Sequence, residues 1–406
     1  MKYILIIISF IYILQLVFCQ ESTPNLPNTF NVQLDQDVFH PMNEDRNYTM
    51  GIRFKAELNC LENNFVYKGL KALNNTLSLN NSKNYLLNSI SLGFTGFTPD
   101  SLGTVSIIEG DRPYSNIARL TIGVKKINIK STGNNRYGNP KRRFSYSYSN
   151  ASLGVIGLDF ARSVQTRIHR MVNSNYEDTI NYSNPVKPYG WNNQISNGGG
   201  LVGLLTHGNK ILITRKQLNY LTNIKNHQFD WQDKREKSML LDRIFEVSAG
   251  YEFMAGYYNN TQVNTQFRLG WLDPTNWYFS SSTNGGLNKR NDLRSFKDQI
   301  NSQVKPNGRN FELYIFTDVA VNYMIYNSLL RGQFVDFLMF NSESKYTLNK
   351  NQVENLFLEF KLGINLRLFG LNLSYIPLSL RTSEINTTEY YHRTHRWSEF
   401  LIKINI

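Results

Sequence analysis

The stretch LFLEFKLGINLRL, residues 356–368, alternates apolar and polar side chains at every second position. One side of the stretch is wholly apolar and carries Leu356, Leu358, Phe360, Leu362, Ile364, Leu366 and Leu368. The opposite side carries Glu359, Lys361, Gly363, Asn365 and Arg367. A period of two is the pattern of a β-strand, and charged residues on one face indicate that this face meets water. The stretch therefore predicts a long strand with one apolar and one wet face.

The same alternation recurs at residues 48–57, 89–95, 118–125, 245–253 and 400–406. Several of these strands approach the roughly nine to eleven residues that a tilted membrane strand needs. Backbone groups in lipid must all be paired, so a sheet in a membrane has to close on itself. We therefore predict an all-β fold, a transmembrane antiparallel β-barrel of about twelve strands, with longer polar loops at 173–197 and 284–307. Soluble sandwiches alternate too, so a soluble secreted β protein is an alternative.

Composition and the N-terminal segment indicate that this barrel is exported to the bacterial cell envelope. Only 18% of the 406 residues are charged, below the roughly 25% of soluble domains. Lys2 followed by the apolar run Tyr3–Phe18 is typical of a secretory signal peptide, with an anchoring helix as the alternative. We expect residues 1–19 to be the signal peptide and residues 20–406 a single outer-membrane β-barrel domain. The formal net charge of +13 suits anionic lipid, and we expect no nucleic-acid partner for this exported, monomeric bacterial protein.

The stretch VQTRIHRM, residues 164–171, holds one of the six histidines. Val164, Ile168 and Val172 recur at helical spacing, and Gln165 lies one turn before His169 on the same face. Two interpretations are open. His169 is either a solvated loop histidine or a general base oriented by a neighbour.

Two further clusters carry polar groups near predicted strand ends. In DQDVFHPMNEDRNYTMG, residues 35–51, Asp37 and Thr49 offer the oxygen ligands that a hard cation such as calcium prefers. A polar hairpin rim is the alternative. In EGDRPYSN, residues 109–116, Pro113 indicates a tight turn entering a strand, or else Arg112 is placed to bind phosphate.

Five strings in order carry a resemblance. They are QDVF…EDRNYTMG, FTPD at Phe97–Asp100, GDRPYSN, GVIGLDFARSVQTRIHR, and YGWNNQI at Tyr189–Ile195. Together they resemble the outer-membrane lipid A 3′-O-deacylases over roughly residues 30–200, and the remainder matches only as barrel strands. That family is a twelve-stranded barrel that uses calcium to hydrolyse the ester of the 3′-acyloxyacyl group of lipid A.

The resemblance implies roles for individual residues. His169 matches the catalytic histidine, Thr49 the active-site threonine, and Asp37 the aspartate of an Asn-Asp pair. Gln36 stands where that pair has asparagine, one methylene longer, and alternation turns it away from Asp37 unless a bulge intervenes. Together these residues would form a calcium site from Asp37, Gln36 and Thr49 beside the general base.

Other implied contacts concern lipid A, the expected substrate in lipopolysaccharide. Gln165 would orient the imidazole or contact substrate. The family's lysine–arginine pair has no counterpart in residues 101–110, which leaves Arg112, Arg46 or the run Lys141–Arg143 for phosphate recognition. Two further alternatives remain open: a catalytically silent barrel, such as a porin or scaffold, and a phospholipase-type acyl hydrolase.

Overall fold

The computed structural model describes residues 29–36, 50–58, 65–77, 83–99, 104–134, 140–172, 188–213, 244–272, 311–333, 344–368, 371–388, 390–392 and 394–405. The predicted signal peptide, Asp37, Arg46, Thr49 and the predicted loop at 284–307 lie outside the described residues. Of the predicted loop at 173–197, only residues 188–197 are described.

The fold is a closed barrel of twelve antiparallel strands, as the alternation predicts. The strands are β1 Thr29–Gln36, β2 Met50–Glu57, β3 Lys83–Phe97, β4 Ser115–Asn134, β5 Pro140–Ile156, β6 Gly200–Ile213, β7 Phe245–Gly256, β8 Tyr258–Trp271, β9 Phe311–Asn327, β10 Leu356–Leu368, β11 Leu371–Arg381 and β12 His395–Asn405. Each strand pairs with its sequence neighbours, and β1 pairs with β12 to close the sheet. Closure leaves no unpaired strand edge, which is the condition for a sheet in lipid.

The outer wall of the barrel is apolar and exposed. On β9, every second residue faces outward, and Ile315, Val321 and Ile325 are 53%, 45% and 61% exposed. Aromatic residues belong to the same exposed surface, including Trp271 and Phe311, whose ring centroids lie 6.1 Å apart. An apolar band with aromatic residues is the outer surface of a membrane barrel, so the alternative of a soluble β protein is wrong.

The inward-facing side chains of nearby strands form ion pairs along the wall of the lumen. Lys403 Nζ lies 2.9 Å from Glu57 Oε2, and an Arg367 guanidinium nitrogen lies 3.2 Å from Glu312 Oε2. A buried apolar cluster that includes Ile117, Ile156, Ile195, Val202, Leu329 and Trp397 lies towards one end of the lumen. Ion pairs therefore line the described lumen wall, and apolar packing occupies one end of it.

Three α-helices accompany the strands in the described part of the chain: α1 Phe65–Leu77, α2 Phe160–Val172 and α3 Ser328–Arg331. None of the described helices is both long enough and apolar enough to cross a membrane. Helix α1 packs on the outside of β4 and β5, where Asn74 Nδ2 donates to the Ser147 carbonyl at 3.4 Å. We call the end of the barrel at which β1, β3 and β5 end the site rim. Helix α2 follows β5 at this rim, and α1, between β2 and β3, lies towards the opposite rim.

Candidate functional site

Helix α2 lies against the outer wall of the barrel. Phe160, its first residue, packs on Phe94 of β3 with ring centroids 4.9 Å apart. Phe94 pairs with Ile52 and Ala118 on the outward face of the sheet, the same face as the exposed Phe54. The predicted amphipathic segment is therefore a helix, and it leaves β5 to cross the wall near the site rim.

A buried tryptophan holds α2 in this position. Trp191 belongs to the 3-10 turn Tyr189–Asn193 and is 3% exposed. Its Nε1 donates to Gln165 Oε1 of α2 at 2.7 Å, and its ring lies 5.0 Å from the ring of Tyr114. A Cβ at Gly96 of β3 would lie 3.8 Å from the indole. Trp191 therefore fills the space between α2 and the outward face of β3.

The hydrogen bond to Trp191 also orients the amide of Gln165. An indole N–H can only donate, so the oxygen of the Gln165 amide must face it. The amide nitrogen, Nε2, then points elsewhere. It is buried and has no hydrogen-bond partner among the residues that the structure describes. Gln165 thus presents a free donor one helical turn before His169.

The connection from β5 to β6 is shaped by two glycines and one asparagine. Gly157 has φ +77°, and a Cβ there would lie 1.9 Å from the Ser196 carbonyl oxygen. A Cβ at Gly190 would lie 2.2 Å from the Tyr114 ring. Asn116 Oδ1 accepts from the Leu158 N–H at 3.0 Å, and its Nδ2 donates to Gln194 Oε1 at 2.5 Å. These contacts fix both ends of the segment that contains α2.

Strand pairing places Gln36 on the same face as Trp191. Gln36, the last residue of β1, is paired with Met50 of β2, and Met50 is paired with Gly96. Paired residues share a face of the sheet, and neighbouring strands are about 4.8 Å apart. The half-buried Gln36 therefore lies on the outward face, about 10 Å along the sheet from the glycine that Trp191 covers.

The remaining predicted site residues divide into two groups. Asp37 and Thr49 flank the paired residues Gln36 and Met50 in sequence, but they and Arg46 lie outside the described residues. His169 is a residue of α2, and its backbone is described while its side chain is not. The roles assigned to these residues stay predictions.

Arg112 occupies a different environment from the predicted one. It is 1% exposed, its guanidinium lies 2.9 Å from Glu384 Oε2, and the same group covers the ring of Phe97 at 4.1 Å. The chain turns at residues 109–110 and enters β4 at Ser115, so the prediction of a tight turn before a strand is confirmed. A buried and ion-paired guanidinium is not presented to a lipid phosphate, which makes the predicted phosphate contact of Arg112 incompatible with this structure.

The Arg112–Glu384 pair joins the β3–β4 connection to the β11–β12 connection. Burial alone would raise the pKa of Glu384, but the positive charges of Arg381 and Arg112 outweigh this effect and lower its pKa to about 2. Arg381 lies 3.3 Å from the other carboxylate oxygen of Glu384. Burial lowers the pKa of Arg112, and the facing Glu384 carboxylate opposes that change. The pair is a structural cross-link between two connections at the site rim.

The run Lys141–Arg143 is also in the wrong place for its predicted role. These residues follow Pro140 at the start of β5, whereas α2 begins after the end of β5 at Ile156. The length of a 17-residue strand therefore separates them from the site rim. This run cannot recognise a phosphate at the site, because it lies at the opposite end of the barrel.

A family model described as "Outer membrane protein LpxR" matches residues 5–404 of the chain. The chain belongs to the LpxR family. Among solved structures, LpxR from Salmonella typhimurium is 14% identical, with a TM-score of 0.55, and the match covers 93% of this chain and 100% of that one. The beta domain of the Bordetella autotransporter BrkA is 7% identical with a TM-score of 0.37, covering 94% of this chain and 100% of that one. No curated protein matches the chain.

Membership of the LpxR family confirms the predicted resemblance and the outer-membrane location. The likeness to the Salmonella structure confirms the twelve-stranded fold.

The expected calcium ligands in this LpxR-family chain are chemically suited to the ion. One carboxylate, one hydroxyl and one amide oxygen, from Asp37, Thr49 and Gln36, are all hard oxygen donors. Of the three, only Gln36 is described. It lies on the outward face of the sheet, which is the face against which α2 packs. The described residues contain no cluster of three or more His, Cys, Asp or Glu side chains that could hold a metal ion.

Several residues that build this site were not predicted from the sequence. Trp191 and Asn116 lie in strings that carry the resemblance, YGWNNQI and GDRPYSN, but neither had an assigned role. The two sequence strings were therefore the only indication that Trp191 and Asn116 belong to the site. Glu384 follows β11 in a segment without any recognisable motif, and only the fold reveals its pairing with Arg112.

Proposed function

We propose that this protein is a lipid A-modifying enzyme of the outer membrane, and specifically a calcium-dependent lipid A 3′-O-deacylase. The proposal is carried by one observation: α2, the helix of His169, is packed against the outward face on which Gln36 lies. Family membership supports the lipid A substrate. The site would therefore open to the outer leaflet, where the head group and first ester of a lipopolysaccharide molecule lie beside the barrel wall.

In this proposal His169 is the general base. Its neutral imidazole takes a proton from a water molecule, which attacks the carbonyl carbon of the 3′-acyloxyacyl ester. The tetrahedral intermediate then collapses, the bond to the sugar oxygen breaks, and the proton passes to that leaving oxygen. A positioned base of this kind contributes about 10²–10⁴-fold to the rate.

Gln165 assists by hydrogen bonding. Because Trp191 holds its oxygen, its free Nε2 is available to donate to the ester carbonyl oxygen as negative charge develops there. A buried donor aimed at developing charge stabilises the transition state more than the ground state. We assign Gln165 this substrate-binding role.

Asp37, Thr49 and Gln36 would hold the calcium ion through their side-chain oxygens. A calcium ion bound at these residues would polarise the ester carbonyl. Gln36 places its amide oxygen one methylene further from the backbone than asparagine would, so its share in the ion's coordination is the weakest of the three.

The deciding experiment presents hexa-acylated lipid A to the purified barrel with calcium or with a chelator, and follows lipid mass. We expect loss of the 3′-acyloxyacyl group only with calcium. His169→Ala should abolish this loss, and His392→Ala should leave it unchanged, because His392 is exposed in the β11–β12 connection. Both variants should retain the heat-resistant migration of a folded barrel in detergent.

The same assay separates the alternatives. Hydrolysis of phosphatidylethanolamine with lipid A intact would identify a phospholipase and refute the deacylase proposal. Intact lipid A and intact phosphatidylethanolamine, with a folded barrel and calcium present, would identify a catalytically silent barrel.

A further inference from the structure

An apolar groove lies on the outer wall of β5, β6 and β7, away from α2. Its volume is about 640 Å³, within the range of roughly 300–1,000 Å³ that ligand pockets occupy. Outward-facing small and apolar side chains line it, among them Ala151, Leu153, Gly203, Leu205 and Ala255. None of the α2 residues whose side chains the structure describes, 160–167, lines the groove, and the groove is separate from the contacts of Gln165 and Trp191.

The depth of the groove depends on Gly203. A Cβ built on this residue would meet only the Ser152 carbonyl oxygen, at 3.8 Å, and otherwise open space. Leu153 and Leu205, beside it on the same wall, are 56% and 51% exposed. The groove is therefore continuous with the lipid-facing surface, and its exposed leucines are where an acyl chain would lie.

One end of the groove is polar, at the site rim. Ser328, the first residue of α3, lines the groove and is 1% exposed. Gln333 also lines it, and its Nε2 donates to the Leu201 carbonyl at 3.1 Å. Ser328 Oγ and Gln333 Oε1 are buried, and neither has a hydrogen-bond partner in the described part of the chain. Buried polar atoms normally have partners, so a ligand that completes these two bonds would fit this end.

The two atoms specify the chemistry of that ligand. Gln333 Oε1 can only accept a hydrogen bond, whereas the Ser328 hydroxyl can donate or accept. The ligand must therefore carry an N–H or O–H group near the head of an acyl chain. An amide-linked or hydroxylated acyl chain has such a donor, and the ester-linked chains of a common phospholipid do not.

We propose that this groove is a second lipid site, which binds one amide-linked or hydroxylated acyl chain of an outer-leaflet glycolipid. The chain lies along Leu153, Gly203 and Leu205, and its polar head bonds to Ser328 and Gln333. The proposal depends on the outer-membrane barrel and not on catalysis, so it stands or falls independently of the deacylase function.

Native mass spectrometry of the detergent-purified full chain tests the proposal. The protein is mixed with lipid A or with phosphatidylcholine, whose head group has no N–H or O–H donor, in the presence of a chelator, and retained lipid is counted. We expect lipid A to be retained in preference to phosphatidylcholine. Gly203→Leu, which fills the groove, should weaken retention of lipid A at least about tenfold, and Ala255→Val is a milder second variant with the same direction. Ser328→Ala should weaken it about fivefold or more, the loss of one hydrogen bond.

A matched control adds a methylene elsewhere on the wall. Val263→Leu changes an exposed residue of β8 outside the groove, and it should leave retention unchanged. Equal retention by the wild type, Gly203→Leu and Ala255→Val would overturn the proposal. Equal retention of lipid A and phosphatidylcholine would overturn the assigned polar contacts, and a dimer formed through this wall would identify a second copy of the chain as the occupant instead.

Discussion

Two single substitutions at the Arg112–Glu384 pair should have unequal effects on stability. In the described part of the chain, Arg112 has one ionic partner, the Glu384 carboxylate. Glu384 has two, Arg112 and Arg381. Glu384→Gln therefore leaves Arg112 as a buried charge without its counter-ion. Arg112→Met leaves Glu384 with Arg381, 3.3 Å away. Methionine also keeps much of the packing against the Phe97 ring.

The magnitudes follow from this asymmetry. Removing one partner of a buried ion pair costs about 3–5 kcal/mol of unfolding free energy. Glu384→Gln should lie at the upper end, about 5 kcal/mol, because the remaining guanidinium is 1% exposed. Arg112→Met should lie at the lower end, about 3 kcal/mol, because Arg381 still compensates the carboxylate. The double variant should be less destabilised than the sum, because replacing a whole buried pair removes both desolvated charges.

Urea unfolding in phospholipid vesicles, followed by tryptophan fluorescence, measures these differences, and lipid A retention is measured in parallel. A phosphate-binding Arg112 would give the opposite pattern. Arg112→Met would then lose lipid A retention while unfolding like the wild type, and Glu384→Gln would change neither property. That result would refute the structural role of the pair.

Three further outcomes are expected. Trp191→Phe keeps an aromatic ring beside Tyr114 but removes the donor that orients Gln165, so lipid A deacylation measured by mass should fall about tenfold, and the smaller ring and lost hydrogen bond should also lower the unfolding midpoint; full activity of the folded variant would exclude the orienting role. Gln36→Asn shortens the side chain by one methylene, and we expect a lower calcium concentration for half-maximal deacylation, whereas a higher one would contradict the proposed ligand set. The lowered pKa of Glu384, about 2 against an ordinary 4.5, contributes stability that is complete above pH 4.5 and is lost as the pH falls towards 2; the wild type should therefore lose its stability advantage over Glu384→Gln across that window in urea titrations, and a constant difference would refute the ionised state.

The strands were predictable from the sequence because one physical rule governs the whole wall. A strand in lipid needs apolar side chains on its outer face and a fully paired backbone. The alternation of apolar and polar residues, with a period of two, therefore persists along each strand. Residues 356–368 form β10 with the predicted bounds. The strand predicted at residues 48–57 is β2, described from Met50 to Glu57.

Helix α2 was partly predictable and α1 was not. The spacing of Val164, Ile168 and Val172 predicted a helix around His169, and the helix begins four residues earlier at Phe160. Helix α1 covers the outer wall, so its buried residues, such as Tyr67 and Leu70, are set by the strands beneath it. A single-sequence pattern does not reveal such long-range packing.

The candidate site was predictable only where one string contained the whole signal. Gln165 and His169 are one turn apart, so their shared helix face follows from the sequence. Arg112 and Glu384 are 272 residues apart in the chain, and nothing near either residue indicates the other. A surface arginine and a buried arginine look alike in sequence, which is why the phosphate contact predicted for Arg112 was wrong.

The apolar cluster at one end of the lumen has a consequence for the cell that carries this protein. The cluster includes Ile117 and Trp397, and ion pairs such as Lys403–Glu57 line the wall of the lumen beside it. In a planar bilayer such a cylinder should pass little or no ionic current. An organism could then make many copies without opening leaks to antibiotics or bile salts.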